Sequence, residues 1–116
     1  MCAPTTTITP EQVIDIVCQF YELDVDRMTK RIPETGRHYR SKEYAKGRQF
    51  FAYWMRKNTV LPFTQIAKLL DNMHHATLIH SVDKVNDEMN LYSRYKKEIF
   101  TLNQLIQDKE SKLIEA

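Results

Sequence analysis

The sequence predicts an all-α fold, a helical bundle that contains a helix-turn-helix. Apolar residues recur at three- and four-residue spacing in successive segments, whereas strand-type alternation is not sustained anywhere. The chain of 116 residues has only two glycines, which is unusual for a fold built on tight β-turns. Its length suits one domain with a hydrophobic core and is too short for two.

The first helix is predicted to begin at Pro10. Thr9 is a suitable N-cap, Pro10 suits the first helical position, and Gln12 can complete a capping box. Apolar residues from 13 to 21 then follow at helical spacing and predict a buried face. Residues 24–30 open with an aspartate and are expected to form a short second helix.

A basic loop and a long helix are predicted next. Residues 31–40 contain a proline and a glycine, which favours a loop. The long helix is expected to run from about Ser41 to Asn58, with aromatic residues on its buried side. Gly47 lies inside this helix, where the absence of a side chain allows close approach of a partner backbone.

The following two helices form the predicted helix-turn-helix. Residues 63–70 form a short amphipathic helix, residues 71–73 form a polar turn, and a second helix runs from about His74 to Asp87. On a helical wheel its core-facing stripe consists of Leu78, Val82, Val85 and Met89.

A last amphipathic helix is expected over residues 91–116, with an apolar stripe that extends to Leu113. Because its apolar spacing is not a strict heptad repeat, we expect this helix to pack on the domain. Pairing with a second copy, as a homodimer, is the other interpretation of the same stripe.

The charge of the chain is unevenly distributed. Residues 1–26 carry five acidic residues and no lysine or arginine, whereas residues 27–48 carry eight basic residues and two acidic ones. The local charge of the second stretch, eight minus two, is +6, against +2 for the whole chain. This concentration favours an anionic partner, although a solvated charged surface is the other explanation that charge alone allows.

The histidine-rich stretch 74-HHATLIHS-81 does not have the spacing of a metal site. Metal-binding pairs on a helix occur at i and i+4, but leucine and isoleucine follow the first two histidines at that distance. The second and third histidines are five residues apart, about 140° round the helix. We therefore expect no metal and no other cofactor.

Other functional classes are disfavoured by motif or composition. The only glycines, Gly36 and Gly47, permit neither a GxxxxGK[ST] phosphate loop nor a GxGxxG motif. Cys18 lies among apolar residues without an evident base partner, so we do not expect an enzyme. The apolar runs are too short for a membrane span, and the N-terminus lacks a secretory signal. With Cys2 and Cys18 isolated, these features favour a cytoplasmic protein with free thiols.

The remaining hypothesis is a DNA-reading helix. The second helix of the predicted helix-turn-helix presents small and hydrogen-bonding side chains away from its core-facing stripe, as a helix entering a major groove does. Its first residues are expected to read bases, while basic residues of the loop and long helix reach phosphates or a minor groove. The predicted DNA-binding residues are Arg37, Arg40, Lys42, Lys46, Arg48, Arg56, Thr59, His74, His75, Ala76, Thr77, His80 and Lys84.

Residues from about 10 to 86 resemble the C-terminal DNA-binding domain, domain IV, of the bacterial chromosomal replication initiator DnaA. The match includes VIDIVCQFYELDVDRM and AKGRQFFAYWMRK, and it is most specific in PFTQIAKLLDNMHHATLIHSVDKV. The resemblance implies a bundle related to the Trp-repressor fold that binds double-stranded DNA with sequence preference. It also implies that Arg40 enters a minor groove and that Arg56 contacts the DNA backbone.

The chain departs from the family pattern at two base-reading positions. The family signature reads Asp-His-Thr-Thr-Val-Leu-His-Ala, whereas here His74 replaces the aspartate and Ala76 replaces the first threonine. The usual Gly-Gly turn is Asp71-Asn72, a pair that tolerates the left-handed conformation. We therefore expect an altered DNA preference. The alternative is a protein-interaction or dimerisation module that has kept the fold and lost DNA reading.

These observations divide the chain into three parts: a flexible tail over residues 1–8, a DnaA domain IV-like domain over 9–90, and the C-terminal helix over 91–116. The ATP-binding module of a full initiator has no counterpart in the sequence. We therefore expect a free-standing DNA-binding relative, from a mobile element or phage, that is associated with the nucleoid when bound to DNA.

Overall fold

The computed structural model describes residues 8–115, with side chains through residue 112. This part of the chain contains six helices and no β-strand, which confirms the all-α prediction. None of these helices is long and apolar enough to cross a membrane. The helices are α1 (Pro10–Tyr21), α2 (Val25–Thr29), α3 (Lys42–Asn58), α4 (Phe63–Leu69), α5 (His75–Leu91) and α6 (Ser93–Glu115).

The caps of the first two helices are those predicted. Thr9 Oγ1 accepts a hydrogen bond from the Gln12 amide at 3.2 Å, and the Gln12 side chain accepts one from the Thr9 amide at 2.9 Å. This reciprocal capping box satisfies two backbone N–H groups at the start of α1. At α2, the Asp24 carboxylate accepts a hydrogen bond from the Arg27 amide at 3.0 Å.

Ile8 differs from the expectation of a flexible tail. Its side chain is 4% exposed and belongs to the hydrophobic core. Ile8 directly precedes the N-cap of α1, and the buried Val13 is the fourth residue of that helix, which is the spacing of a hydrophobic staple. Ile8 is therefore part of the packed core, and residues 1–7 of the expected tail lie outside the described range.

The central helix of the bundle is α3, which contacts α1, α2, α4 and α5. Every residue from Phe50 to Met55 is buried, because neighbouring helices cover more than one face. A Cβ atom at Gly47 would lie 2.9 Å from Leu23 Cδ1 and 3.0 Å from Met28 Sδ. The expected close approach at Gly47 is therefore present, but the partners are side chains of α2 and the segment before it rather than a backbone.

The C-terminal helix packs on the domain. The side chains of α6 that face the core are Tyr95, Ile99, Leu102 and Ile106. The Tyr21 hydroxyl donates a hydrogen bond to the Glu98 carboxylate at 2.8 Å, which joins α1 to α6. The apolar stripe is therefore occupied within one chain. Leu113, which was expected to continue it, lies outside the residues whose side chains are described.

Candidate nucleic-acid interface

A tight turn separates α4 from α5. Asp71 and Asn72 have φ angles of 55° and 57°, both in the left-handed region, as their residue types predicted. The amides of Leu70 and Met73 both donate to the Ala67 carbonyl, at 3.1 and 3.2 Å. Because Leu70 and Met73 are also buried, the turn is fixed to the core and directs the start of α5 outward.

The first turn of α5 is exposed, while the next residues anchor it. His74 is the N-cap, and its Nδ1 atom accepts a hydrogen bond from the Ala76 amide at 3.3 Å. Leu78 and Val85 are fully buried, which confirms the core-facing stripe. The predicted DNA-binding residues on the exposed side of the helix are His75, Ala76, Thr77, His80 and Lys84.

Arg31 holds the basic loop, residues 30–41, against this turn. Its Nε and Nη2 atoms donate to the carbonyls of Asp71 and Asn72 at 3.0 and 2.7 Å, and Nη1 donates to the Gly36 carbonyl at 3.0 Å. The Arg31 amide also donates to the Asp71 carboxylate at 2.8 Å. One planar guanidinium thus links the loop to the turn and sets the position of the loop beside α5.

His38 provides a second link between the loop and the helix-turn-helix. Its Nε2 atom lies 2.6 Å from the Leu70 carbonyl oxygen, and residues 31 and 38 form an isolated antiparallel bridge. Burial lowers the pKa of His38, and the charges of Arg31 and Arg48 act in the same direction against the opposing effect of the Leu70 hydrogen bond. The neutral ring therefore donates from Nε2 to Leu70.

The basic loop, α3 and α5 enclose a groove of about 530 Å³. The groove is lined by Arg31, Arg37, His38, Arg40, Ala45, Arg48, Gln49, Met73, His74, Thr77 and Ser81. It contains four arginines and no carboxylate, so its potential favours an anion. Two predicted loop residues, Arg37 and Arg40, therefore share one surface with two predicted residues of α5, His74 and Thr77.

Arg48, a predicted DNA-binding residue, is buried at the wall of the groove. It is 7% exposed, and its guanidinium donates to the carbonyls of Met28, at 3.2 Å, and Tyr39. Burial lowers its pKa. Because its Nη1 and Nη2 atoms both donate to backbone carbonyls, Arg48 has a structural role. It connects α3 to the end of α2 and to the basic loop.

Two further predicted contacts are also placed differently. Lys46 points toward α6: its Nζ atom is 3.4 Å from Glu98 Oε2 and 5.3 Å from the centre of the Tyr95 ring. The Thr59 hydroxyl donates to the Met55 carbonyl at 2.5 Å and accepts from the amide two residues later at 3.3 Å. Lys46 thus supports the bundle and Thr59 shapes the end of α3.

A second group lies around the start of α4. The Arg56 guanidinium carbon is 4.9 Å from the centre of the Phe63 ring, and that ring centre is 5.4 Å from the centre of His75. Arg56 and His75 are exposed. The Phe63 ring therefore lies between Arg56, the predicted backbone contact of α3, and His75, the first residue of α5.

The sequence interpretation missed the roles of Arg31 and Phe63. Arg31 was counted only as one of the loop charges, and no local pattern distinguishes an arginine that bonds to distant carbonyls. Phe63 was covered only by the prediction of a short amphipathic helix over residues 63–70. Phe63 directly follows Leu61-Pro62 and lies near the basic end of α3, and this position was the available signal for a surface role.

Cys18 does not provide a reactive group. The thiol is buried, and burial, together with the charges of Asp15 and Asp24, raises its pKa to about 11. It is therefore protonated at neutral pH and lies 3.7 Å from the Met28 sulfur. Within residues 8–112, no group of three or more potential metal ligands is positioned to hold an ion.

A short helix, a tight turn and a longer helix with an exposed N-terminal turn beside a basic loop define a helix-turn-helix protein. Comparison with known proteins makes the class specific. Residues 10–85 match the family model described as the bacterial dnaA protein helix-turn-helix. The chain therefore belongs to this family, and the matched region is a DNA-binding domain of that type.

Individual relatives agree with this family. The chain is 27% identical over 100 residues to the chromosomal replication initiator protein DnaA of Chloroflexus aurantiacus, covering 86% of this chain and 19% of the relative. It is 32% identical over 76 residues to DnaA of Synechocystis sp., covering 66% of this chain and 15% of the relative. It is 21% identical over 105 residues to DnaA of Bacteroides thetaiotaomicron, covering 90% of this chain and 21% of the relative. The chain thus spans between 15% and 21% of the length of these relatives.

Proposed function

We propose that the protein binds double-stranded DNA with a preference for particular sequences. The first turn of α5, His74 to Thr77, enters a major groove, and the basic loop lies along the adjacent backbone or minor groove. The observation that carries this proposal is the shared groove: Arg37 and Arg40 line the same surface as His74 and Thr77. Arg31 and His38 hold the two elements in this relation.

Five exposed cations are assigned to the DNA backbone: Arg37, Arg40, Lys42, Arg56 and Lys84. His80 supports them from the exposed side of α5. Each neutralised phosphate releases counterions, so five such contacts give a slope of about −4 to −5 in a plot of log affinity against log salt concentration. Arg48, Lys46 and Thr59 are omitted from this set, because their side chains are bonded inside the protein.

Fluorescence anisotropy of a labelled mixed-sequence duplex, titrated at several salt concentrations, tests the proposal. Arg40→Ala is expected to weaken binding to all sequences and to reduce the salt slope by about 1. Lys109→Ala is the matched control, since Lys109 is an exposed cation on α6 that lines no part of the groove. A flat salt response, or equal effects of the two substitutions, contradicts the assignment.

The relatives are replication initiators, and we propose that this chain binds DNA without an ATP-dependent step. Its sequence has no phosphate-binding loop, and the proposed interface consists of helices and a loop within one domain. Binding is therefore expected to be the same with and without ATP. We also propose that the protein acts in the cytoplasm, in contact with the nucleoid.

A protein-interaction role is the second candidate. One observation favours it: apolar side chains remain exposed at the junction of α5 and α6, namely Leu91 and Tyr92, and farther along α6, namely Phe100. If the chain is an interaction module that has lost DNA reading, it will show no duplex binding at low salt. Sedimentation at several concentrations separates self-association from a monomeric DNA-binding protein.

A further inference from the structure

We propose that His74 makes the DNA-facing groove select base pairs whose major-groove edge offers acceptors, guanine foremost. This inference rests on the proposed DNA binding and concerns which bases the same site prefers.

The hydrogen bond at the N-cap determines which nitrogen of His74 faces outward. Nδ1 accepts from the Ala76 amide at 3.3 Å, and an accepting ring nitrogen carries no proton. In the neutral imidazole the single proton is therefore on Nε2. Nε2 lies across the ring from Nδ1, so this N–H points away from α5. His74 is exposed and lines the groove, which makes it an outward donor.

The surroundings of His74 add donors and few acceptors. The guanidinium groups of Arg31 and Arg48 line the groove but are bonded to backbone carbonyls. Two arginines of the basic loop, Arg37 and Arg40, have no side-chain hydrogen bond or ion pair within the described residues. The groove therefore presents three outward side chains that act as donors, those of His74, Arg37 and Arg40, beside the Thr77 hydroxyl, which can donate or accept, and no carboxylate.

This arrangement distinguishes the four bases. Guanine presents two acceptors in the major groove, N7 and O6, and no donor. Thymine presents one acceptor, O4, beside its methyl group. Cytosine presents the N4 donor, and adenine combines one acceptor with the N6 donor. An outward imidazole N–H opposite cytosine or adenine N6 leaves two donors facing each other without a partner. Acceptor-rich guanine is consequently the base that His74 can satisfy best.

Phosphate oxygen is also an acceptor, and the experiment must separate it from a base edge. A base contact changes the preferred sequence at one position. A phosphate contact changes affinity for all sequences by a similar factor. Substitutions that keep the cap but change the outward group are therefore more informative than alanine.

Two substitutions meet this requirement. Aspartate and asparagine are both good N-cap residues, so His74→Asp and His74→Asn preserve the start of α5. Asparagine can accept with its oxygen and still offer an outward N–H, whereas aspartate presents only acceptors. The two variants thus differ in the hydrogen-bonding character of the outward group, and both are expected to keep the fold. Urea denaturation of each variant checks that the fold is retained.

The experiment is a binding selection from a random duplex library with the wild type and both variants, followed by affinity measurements on the selected duplexes. We expect the wild type and His74→Asn to enrich guanine at one common position. His74→Asp is expected to replace it by cytosine or adenine, with roughly a tenfold reversal of preference. An unchanged motif in His74→Asp, or a uniform loss across all duplexes, overturns the inference while leaving DNA binding intact. Failure of the wild type to bind any duplex overturns the proposed function itself.

Discussion

Replacement of Arg48 by methionine tests whether this arginine stabilises the fold or binds DNA. Methionine approximates the aliphatic length of arginine and removes both donors. The carbonyls of Met28, which is buried, and of Tyr39, which is half-buried, then lose their guanidinium partners. The substitution is therefore expected to lower the free energy of unfolding, and any effect on DNA binding follows from that loss of stability.

The magnitude follows from these two bonds. Each unsatisfied buried carbonyl costs about 1–3 kcal/mol, and removal of a buried charge recovers part of that loss. We expect Arg48→Met to lower the free energy of unfolding by about 3 kcal/mol. Arg40→Met is the matched control because Arg40 is exposed, and its effect on stability is expected to lie within about 0.5 kcal/mol.

Urea denaturation measures this difference. Trp54 is the only tryptophan and is buried, so its fluorescence reports unfolding. With a slope of about 1.5 kcal/mol per molar urea, the midpoint of Arg48→Met should fall by about 2 M. Arg48→Lys keeps the charge but cannot donate in the same forked geometry. Its urea midpoint should therefore lie between those of the wild type and Arg48→Met. A wild-type midpoint combined with weakened DNA binding would show that Arg48 contacts phosphate after all.

Three other substitutions or conditions test the same structure. Arg31→Ala removes the three guanidinium bonds that hold the basic loop and should lower the free energy of unfolding by about 1–2 kcal/mol. It should also weaken DNA binding without changing the salt slope. If anisotropy titrations show a slope reduced by a full unit, Arg31 contacts a phosphate. Gly47→Ala should destabilise by about 1 kcal/mol, because crowding against Leu23 and Met28 outweighs the gain in helix propensity; a higher melting temperature would contradict this. The pKa of His38 is lower in the folded protein than in the unfolded chain, so the unfolded chain binds more protons as the pH falls below about 6.5. The contribution of His38 to the free energy of unfolding is therefore present above about pH 6.5 and should decline below it. Urea titrations at several pH values should show this decline for the wild type and not for His38→Gln.

Local patterns predicted most of the helices correctly. The capping box at Thr9, the aspartate cap of α2 and the left-handed pair Asp71-Asn72 all depend on residues within four positions of one another. Such interactions are encoded in short stretches and can be identified without knowledge of the fold. The core-facing stripe of α5 was predictable for the same reason, since helical periodicity places Leu78 and Val85 on one side.

Roles that depend on distant segments were harder to predict. Arg31 and Arg48 look alike in a basic stretch, yet Arg31 bonds to a turn forty residues away and Arg48 is buried against the end of α2. Lys46, counted with the same basic stretch, faces Glu98 of α6. Charge counting treats these residues as equivalent, because sequence spacing does not show which backbone carbonyls or carboxylates surround them.

The sequence by itself determined that this protein is an all-α member of the DnaA helix-turn-helix family, and it located the exposed first turn of α5. Helical periodicity and caps act over three or four residues, so the chain carries that information locally. Only the tertiary structure decided which cations are exposed and which hold the basic loop in place. That distinction depends on burial and on hydrogen bonds to distant carbonyls, which exist only after the helices have packed.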